Sequence, residues 1–93
     1  MHTTSRSEIE WKEGRDFDPD IQMARTYYAC VRGIPFGMIS LFNERSPEPW
    51  IACMWDEKEK GFVQIGGLNT RCATRADAIE AVEREIYKLI VAG

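Results

Sequence analysis

The side chains that could do covalent or metal chemistry are few, and their spacing is unhelpful for either. Cys30, Cys53 and Cys72 stand 23 and 19 residues apart. A zinc knuckle or a redox pair brings two thiols together in a C-x-x-C turn, and no pair here has that spacing. A Cys-His or Ser-His-Asp nucleophile needs an imidazole held by the fold. The one histidine, His2, sits in the polar segment MHTTSRSEIEW with nothing local to hold it. Asp16, Asp18 and Asp20 form a D-x-D-x-D run like the start of a calcium loop. The run lacks the glycine and the distal glutamate of such loops, and Pro19 interrupts it. No G-x-x-x-x-G-K-[ST] or G-x-G-x-x-G cradle for phosphates occurs, and Gly66-Gly67 reads as a turn. An enzyme would have to work with carboxylates alone or with these three thiols. The expectation is a chain that is not an enzyme and that holds no metal or cofactor, its cysteines reduced and packed as small apolar groups.

The elements that would carry any site follow from pattern. Residues 26–32 (TYYACVR) and 38–42 (MISLF) are rich in β-formers, and Gly33 and Gly37 bracket a five-residue loop between them. Ser46-Pro47-Glu48-Pro49 breaks the chain before a third strand, residues 50–55 (WIACMW). A charged turn, residues 56–61, leads to a fourth strand, 62–65 (FVQI). Thr74 and Asp77 have the N-cap and N3 spacing of a capping box. From there Ala78, Ile79, Val82, Ile86, Leu89 and Ile90 fall on one face of a helix that runs to about residue 91. Asp18-Pro19 reads as a cap and first helical position for a short helix to about Arg25, and Ile9 and Trp11 alternate with charges as in a short strand or arm. The expected fold is α+β, a three- to four-stranded antiparallel meander with a C-terminal amphipathic helix packed on one face.

The 93 residues, 44% of them hydrophobic, suit one small globular domain. The net charge of −3 has a definite address. Residues 1–20 hold six acids against Arg6, Lys12 and Arg15, while residues 21–93 hold nine acids and nine bases. The division expected is an acidic arm over residues 1–20, partly flexible, and a neutral α+β domain over 21–93. A neutral body argues against a basic nucleic-acid binder. No apolar run is long enough for a membrane span, and the N-terminus has no apolar signal core, so a cytoplasmic location is expected.

Both phases of the strands are apolar. Tyr27, Ala29 and Val31 alternate with Tyr28 and Cys30, and Trp50, Ala52 and Met54 alternate with Ile51, Cys53 and Trp55. A sheet with one wet face should alternate apolar with polar. Three covers are available for the second face. Ile9, Trp11, Phe17, Ile21 and Met23 of the N-terminal segment could lie on it, a second copy could, or another macromolecule could.

Three resemblances bear on function. Trp50-x-Ala52-x-Met54, a charged turn, and the run from Thr74 through Ala78 to Val82 make a W-x-A strand and a T-x-x-x-A helix. That pattern resembles the AP2-like DNA-binding domains of plant factors and phage integrases, and implies a sheet that reads the major groove through basic and aromatic strand residues. Here Arg32 is the single base in a predicted strand, and a duplex binder relies on many. The order of strands and helix is similar to that of HicB-type antitoxin domains, which implies an RNA-facing sheet. In size, mild acidity and want of a catalytic constellation, the chain resembles small accessory proteins of phages and mobile elements, anti-CRISPR proteins among them. That implies occupation of a surface of a host complex inside a bacterial cell.

The expectation that unites these readings is a non-enzymatic inhibitor or adaptor that binds protein and acts by steric occlusion. Its partner would be a host or self protein complex of a nucleic-acid-processing kind, with a homodimer as an option, without direct nucleic-acid or membrane binding. Glu8, Glu10, Glu13, Asp16, Asp18 and Asp20 would steer a basic partner, and Tyr28, Phe42 and Trp55 would supply affinity. The alternative is a small nucleic-acid-binding module of the AP2-like or HicB-like kind.

Overall fold

A computed structural model describes residues 8–19, 21–42, 49–67 and 70–92. His2, Asp20, the Ser46-Pro47-Glu48 breaker and the Ile90 side chain lie outside the described parts. The elements in chain order are β1 (Ile9–Glu13), β2 (Phe17–Asp18), β3 (Met23–Ala24), β4 (Thr26–Val31), β5 (Ile34–Leu41), β6 (Trp50–Asp56), β7 (Gly61–Gln64) and α1 (Arg75–Ala92). The fold is α+β, as the pattern implies, with more strands than the meander expected. Five strands form one antiparallel sheet in the order β1-β4-β5-β6-β7, and β2 and β3 form a small second one. The added strand is β1, whose Ile9 and Trp11 lie opposite Val31 and Ala29.

Two local expectations are corrected. Residues 18–25 are not a helix: Phe17 pairs with Ala24 and Asp18 with Met23 across a turn. Asp-Pro starts a turn as readily as a helix. Here Gln22 takes a left-handed φ of 56° and its side-chain amide donates to the Pro19 carbonyl at 2.6 Å. The tight hairpin delivers Ala24, fully buried, and half-buried Met23 to the core. Residues 33–37 are likewise not a loop. Arg32 and Gly33 alone turn the chain, with φ of 54° and 82°, the double left-handed conformation that matches the twist of flanking strands. Residues 34–37 continue as β5, and the register shifts by one so that Cys30 faces Pro35 and Ala29 faces Gly37. Phe36 is the extra residue of that β-bulge, which also accommodates a proline within the strand.

The core lies between the sheet and α1. Ile9, Ala29, Val31, Ile39, Leu41, Trp50 and Ala52 meet Ala78, Val82 and Ile86. Burying each of the Val, Leu and Ile side chains contributes roughly 1.5–3 kcal/mol. Gly37 sits in the middle of β5 under the helix, where a Cβ would run into Val82 Cγ1. The helix edge is pinned by polar bonds. Trp11 Nε1 donates to Glu83 Oε2 at 3.0 Å, and Arg75 donates to the Tyr27 hydroxyl at 3.1 Å.

The cap read from sequence is present: the Asp77 amide donates to Thr74 Oγ1 at 3.1 Å. Thr74→Ala leaves that amide without its acceptor and is expected to cost about 1 kcal/mol, read as a lower midpoint in urea unfolding with an unchanged slope.

Candidate interaction surface

Strand alternation puts Glu10, Lys12, Tyr28, Cys30, Met38, Ser40, Ile51, Cys53, Trp55, Phe62 and Gln64 on the face away from α1. Of the three covers open to this face, the described part of the N-terminal segment goes elsewhere. Ile9 is buried in the core between sheet and helix, and Trp11, Ile21 and Met23 pack against that core. Phe17 stands 55% exposed. The cause is register: pairing Ile9 with Val31 fixes the whole apolar phase of β1 on the helix side. Among the described residues, no element packs across the second face.

This face carries a row of aromatic rings. The Tyr28 and Phe62 centroids are 5.9 Å apart, and Trp55 meets Phe62 edge-on at 5.5 Å. Such pairs hold their geometry beyond simple burial. Tyr28 and Phe62 belong to strands that are not neighbours, so the rings reach toward each other over β5 and β6. Trp55 remains 39% exposed. Phe42, 51% exposed, follows β5 and lies under the Arg71 guanidinium at 3.8 Å.

Of the residues named from sequence, Tyr28 and Trp55 are therefore brought together, through Phe62. Strand reasoning placed Phe62 but did not single it out. The signal was available, since residues that flank a short charged turn at equal distance must face each other. The acids do not gather. Glu10 shares the aromatic face, opposite Cys30, whereas Glu13 lies opposite Tyr27 and lines a hollow with Trp11 and Arg75 on the helix side. Asp16 accepts the Thr26 hydroxyl at 2.7 Å, and Asp18 belongs to β2. Glu8 immediately precedes β1, and Asp20 lies outside the described residues.

The turn from β6 to β7 fixes the end of the row. Asp56 Oδ1 accepts the amides of Lys58 and Glu59 at 2.8 and 3.3 Å, and Lys60 adopts φ of 55°. This geometry returns Glu57 to Trp55: the indole N–H donates to Glu57 Oε1 at 3.0 Å, and Lys60 Nζ pairs with Oε2 at 3.0 Å. The bond from Trp55, and then that from Lys60, hold the Glu57 carboxyl below its ordinary range. A depressed carboxyl favours this arrangement above the ordinary carboxylate pKa and loses it as pH falls through its own lower value. In an acid titration the Trp55 indole N–H resonance should thus move only below the usual glutamate range. Glu57→Gln should abolish that step while leaving Trp11 and Trp50 signals unchanged.

The thiols show no sign of activation where they are perturbed. Burial pushes Cys53 up, and burial followed by the Asp77 charge pushes Cys72 up. Both shifts lead away from the thiolate that acts as nucleophile. Among the described residues no three His, Cys, Asp or Glu side chains converge on a point that could hold a metal ion. No helix there is long and apolar enough to cross a membrane. In comparisons with known proteins, no family model, no curated protein and no solved structure matches the chain.

Proposed function

We propose that the protein is a non-enzymatic binding module that occupies a surface of a protein partner and blocks it sterically. The observation that carries this reading is the aromatic row Tyr28-Phe62-Trp55 on the sheet face opposite α1. Aromatic anchors set on a rigid sheet are the groups that dominate protein-protein affinity, because they bury much area and lose little freedom. Ala78, Val82 and Ile86 of α1 pack on the other face of the sheet, and among the described residues no element lies across the face that carries the row. A phage-type inhibitor of a nucleic-acid-processing complex is one form this takes. Direct duplex binding fits less well, since Lys12 is the one base among the sheet residues of this face and counterion release needs several.

Affinity capture of the tagged chain from the cells that make it, with and without nuclease, tests the proposal. The expected result is a defined protein species in constant ratio to the bait that survives nuclease and moderate salt. Loss of all retained material on nuclease treatment would overturn it in favour of a nucleic-acid-binding module.

A further inference from the structure

Beside the aromatic row opens a shallow groove of about 470 Å³ lined by Ile34, Pro35, Phe36, Trp55, Glu57 and Phe62. Its chemistry is one-sided. Five of the lining side chains are apolar or aromatic, Ile34 being 58% exposed, and the sixth is a carboxylate. The one side-chain donor among them, the Trp55 indole N–H, is already engaged by Glu57 Oε1. The groove therefore presents ring surfaces and acceptor oxygens, with no free side-chain donor.

That combination discriminates among occupants. A phosphate chain would meet the Glu57 charge, which the exposed Lys60 pair offsets only in part. A proline-rich segment has no internal hydrogen bonds, so its carbonyls look to the groove for N–H or O–H donors. A cation suits both components, because ring faces attract positive charge and a carboxylate pairs with it. The chain's own arginines show the same preference elsewhere. Arg71 covers Phe42 at 3.8 Å and Arg75 lies 5.2 Å from the Tyr27 centroid. Among the described residues, no cation lies over Trp55 or Phe62. Glu57 holds Lys60 in a pair whose side chains are 75% and 77% exposed, and exposed pairs of this kind are weak. A planar guanidinium, which pairs with carboxylates in two parallel bonds and stacks on aromatic faces, can take the place of that ammonium.

We infer that the groove receives an arginine side chain from a basic segment of the partner, laid against Trp55 and Phe62 and paired with the Glu57 carboxylate. This rests on the protein-binding reading above and adds the chemistry of the partner.

The test is a titration of the isotope-labelled full chain with short capped peptides, followed at the Trp55 indole N–H. The probes are Gly-Arg-Gly-Arg-Gly, its lysine counterpart, a proline-rich peptide and a single-stranded oligonucleotide. The arginine peptide should shift Trp55 and not buried Trp50, with half-saturation at ~1 mM, and more strongly than the lysine peptide. Glu57→Gln, which keeps an acceptor for the indole, should weaken this about threefold to fivefold. An unmoved Trp55 signal, or a larger response to the proline-rich peptide or the oligonucleotide, would overturn the inference. In either case, partner capture by Trp55→Ala separates the two levels. A captured partner lost on that substitution leaves the binding-module reading standing without the arginine site, whereas full capture by that variant removes both.

Discussion

Alanine at Trp55 should lower affinity for the captured partner by ~30-fold or more, the effect of truncating an anchor worth about 2 kcal/mol. The fold should survive. Trp55 is 39% exposed and lies outside the core between sheet and helix. What the free protein loses is one edge-on contact with Phe62 and one exposed bond to Glu57, about 0.5–1.5 kcal/mol for the ring pair. Trp55→Phe preserves a ring on Phe62 and should retain most of the affinity. Calorimetric titration with the purified partner, beside urea unfolding of each variant, separates the two quantities. Equal losses of affinity and stability for Trp55→Ala would mean that the ring props the sheet and binds nothing.

Gly37→Ala is the substitution expected to damage the fold most for its size. A single methyl at this position would meet Val82 Cγ1 on the helix and come within 3.3 Å of the Cys53 carbonyl oxygen. Val82 is fully buried and cannot turn into solvent. Either α1 lifts from the sheet or the side chain leaves its rotamer, and overpacking of this kind costs about 1–3 kcal/mol. For a domain of this size that lowers the melting temperature by roughly 4–8 °C per kcal/mol. Val82→Ala alone opens a small cavity and also destabilises. Together the two changes should cost less than their sum, because the methyl added on the strand occupies the space vacated on the helix. A double-mutant cycle by urea unfolding reads this coupling directly. Strict additivity would mean that α1 does not rest on Gly37.

These two sites differ in how far the sequence discloses them. The helix was legible because its signals are local: Thr74, Asp77 and the spacing of Ala78, Val82 and Ile86 all lie within four turns. The strands around Tyr28, Trp50 and Phe62 were legible for the same reason. Their faces were not. With apolar residues in both phases, nothing local says whether Tyr27 or Tyr28 points to the helix. That choice is made by long-range pairing, Ala29 with Gly37 and Ile39 with Ala52, which lets α1 come down on the side where glycine and alanine leave room.

The hairpin at Phe17–Ala24 shows a different limit. Asp18-Pro19 is compatible with a helix start and with a turn, and too few apolar residues follow for periodicity to decide. The outcome rests on Ala24 and Met23 reaching the core. Of the binding surface, Tyr28, Phe42 and Trp55 could be named as exposed aromatics. Glu57 could not, because a charged turn reads as solvated, and nothing local says that its carboxylate returns to the Trp55 indole.

Site-specific photo-crosslinking tests most directly whether the sheet face opposite α1 is where the partner sits. Benzoylphenylalanine at position 62 replaces one aromatic ring by another within the row. At position 87 it replaces Tyr87, which lies on α1 and is 39% exposed, giving a matched control on the other side of the molecule. Irradiation in the cells that make the protein should join the partner to the position 62 variant and leave the position 87 variant free. A crosslink from position 87 alone, or adducts from both positions in equal yield, would contradict the assignment of this face as the binding surface.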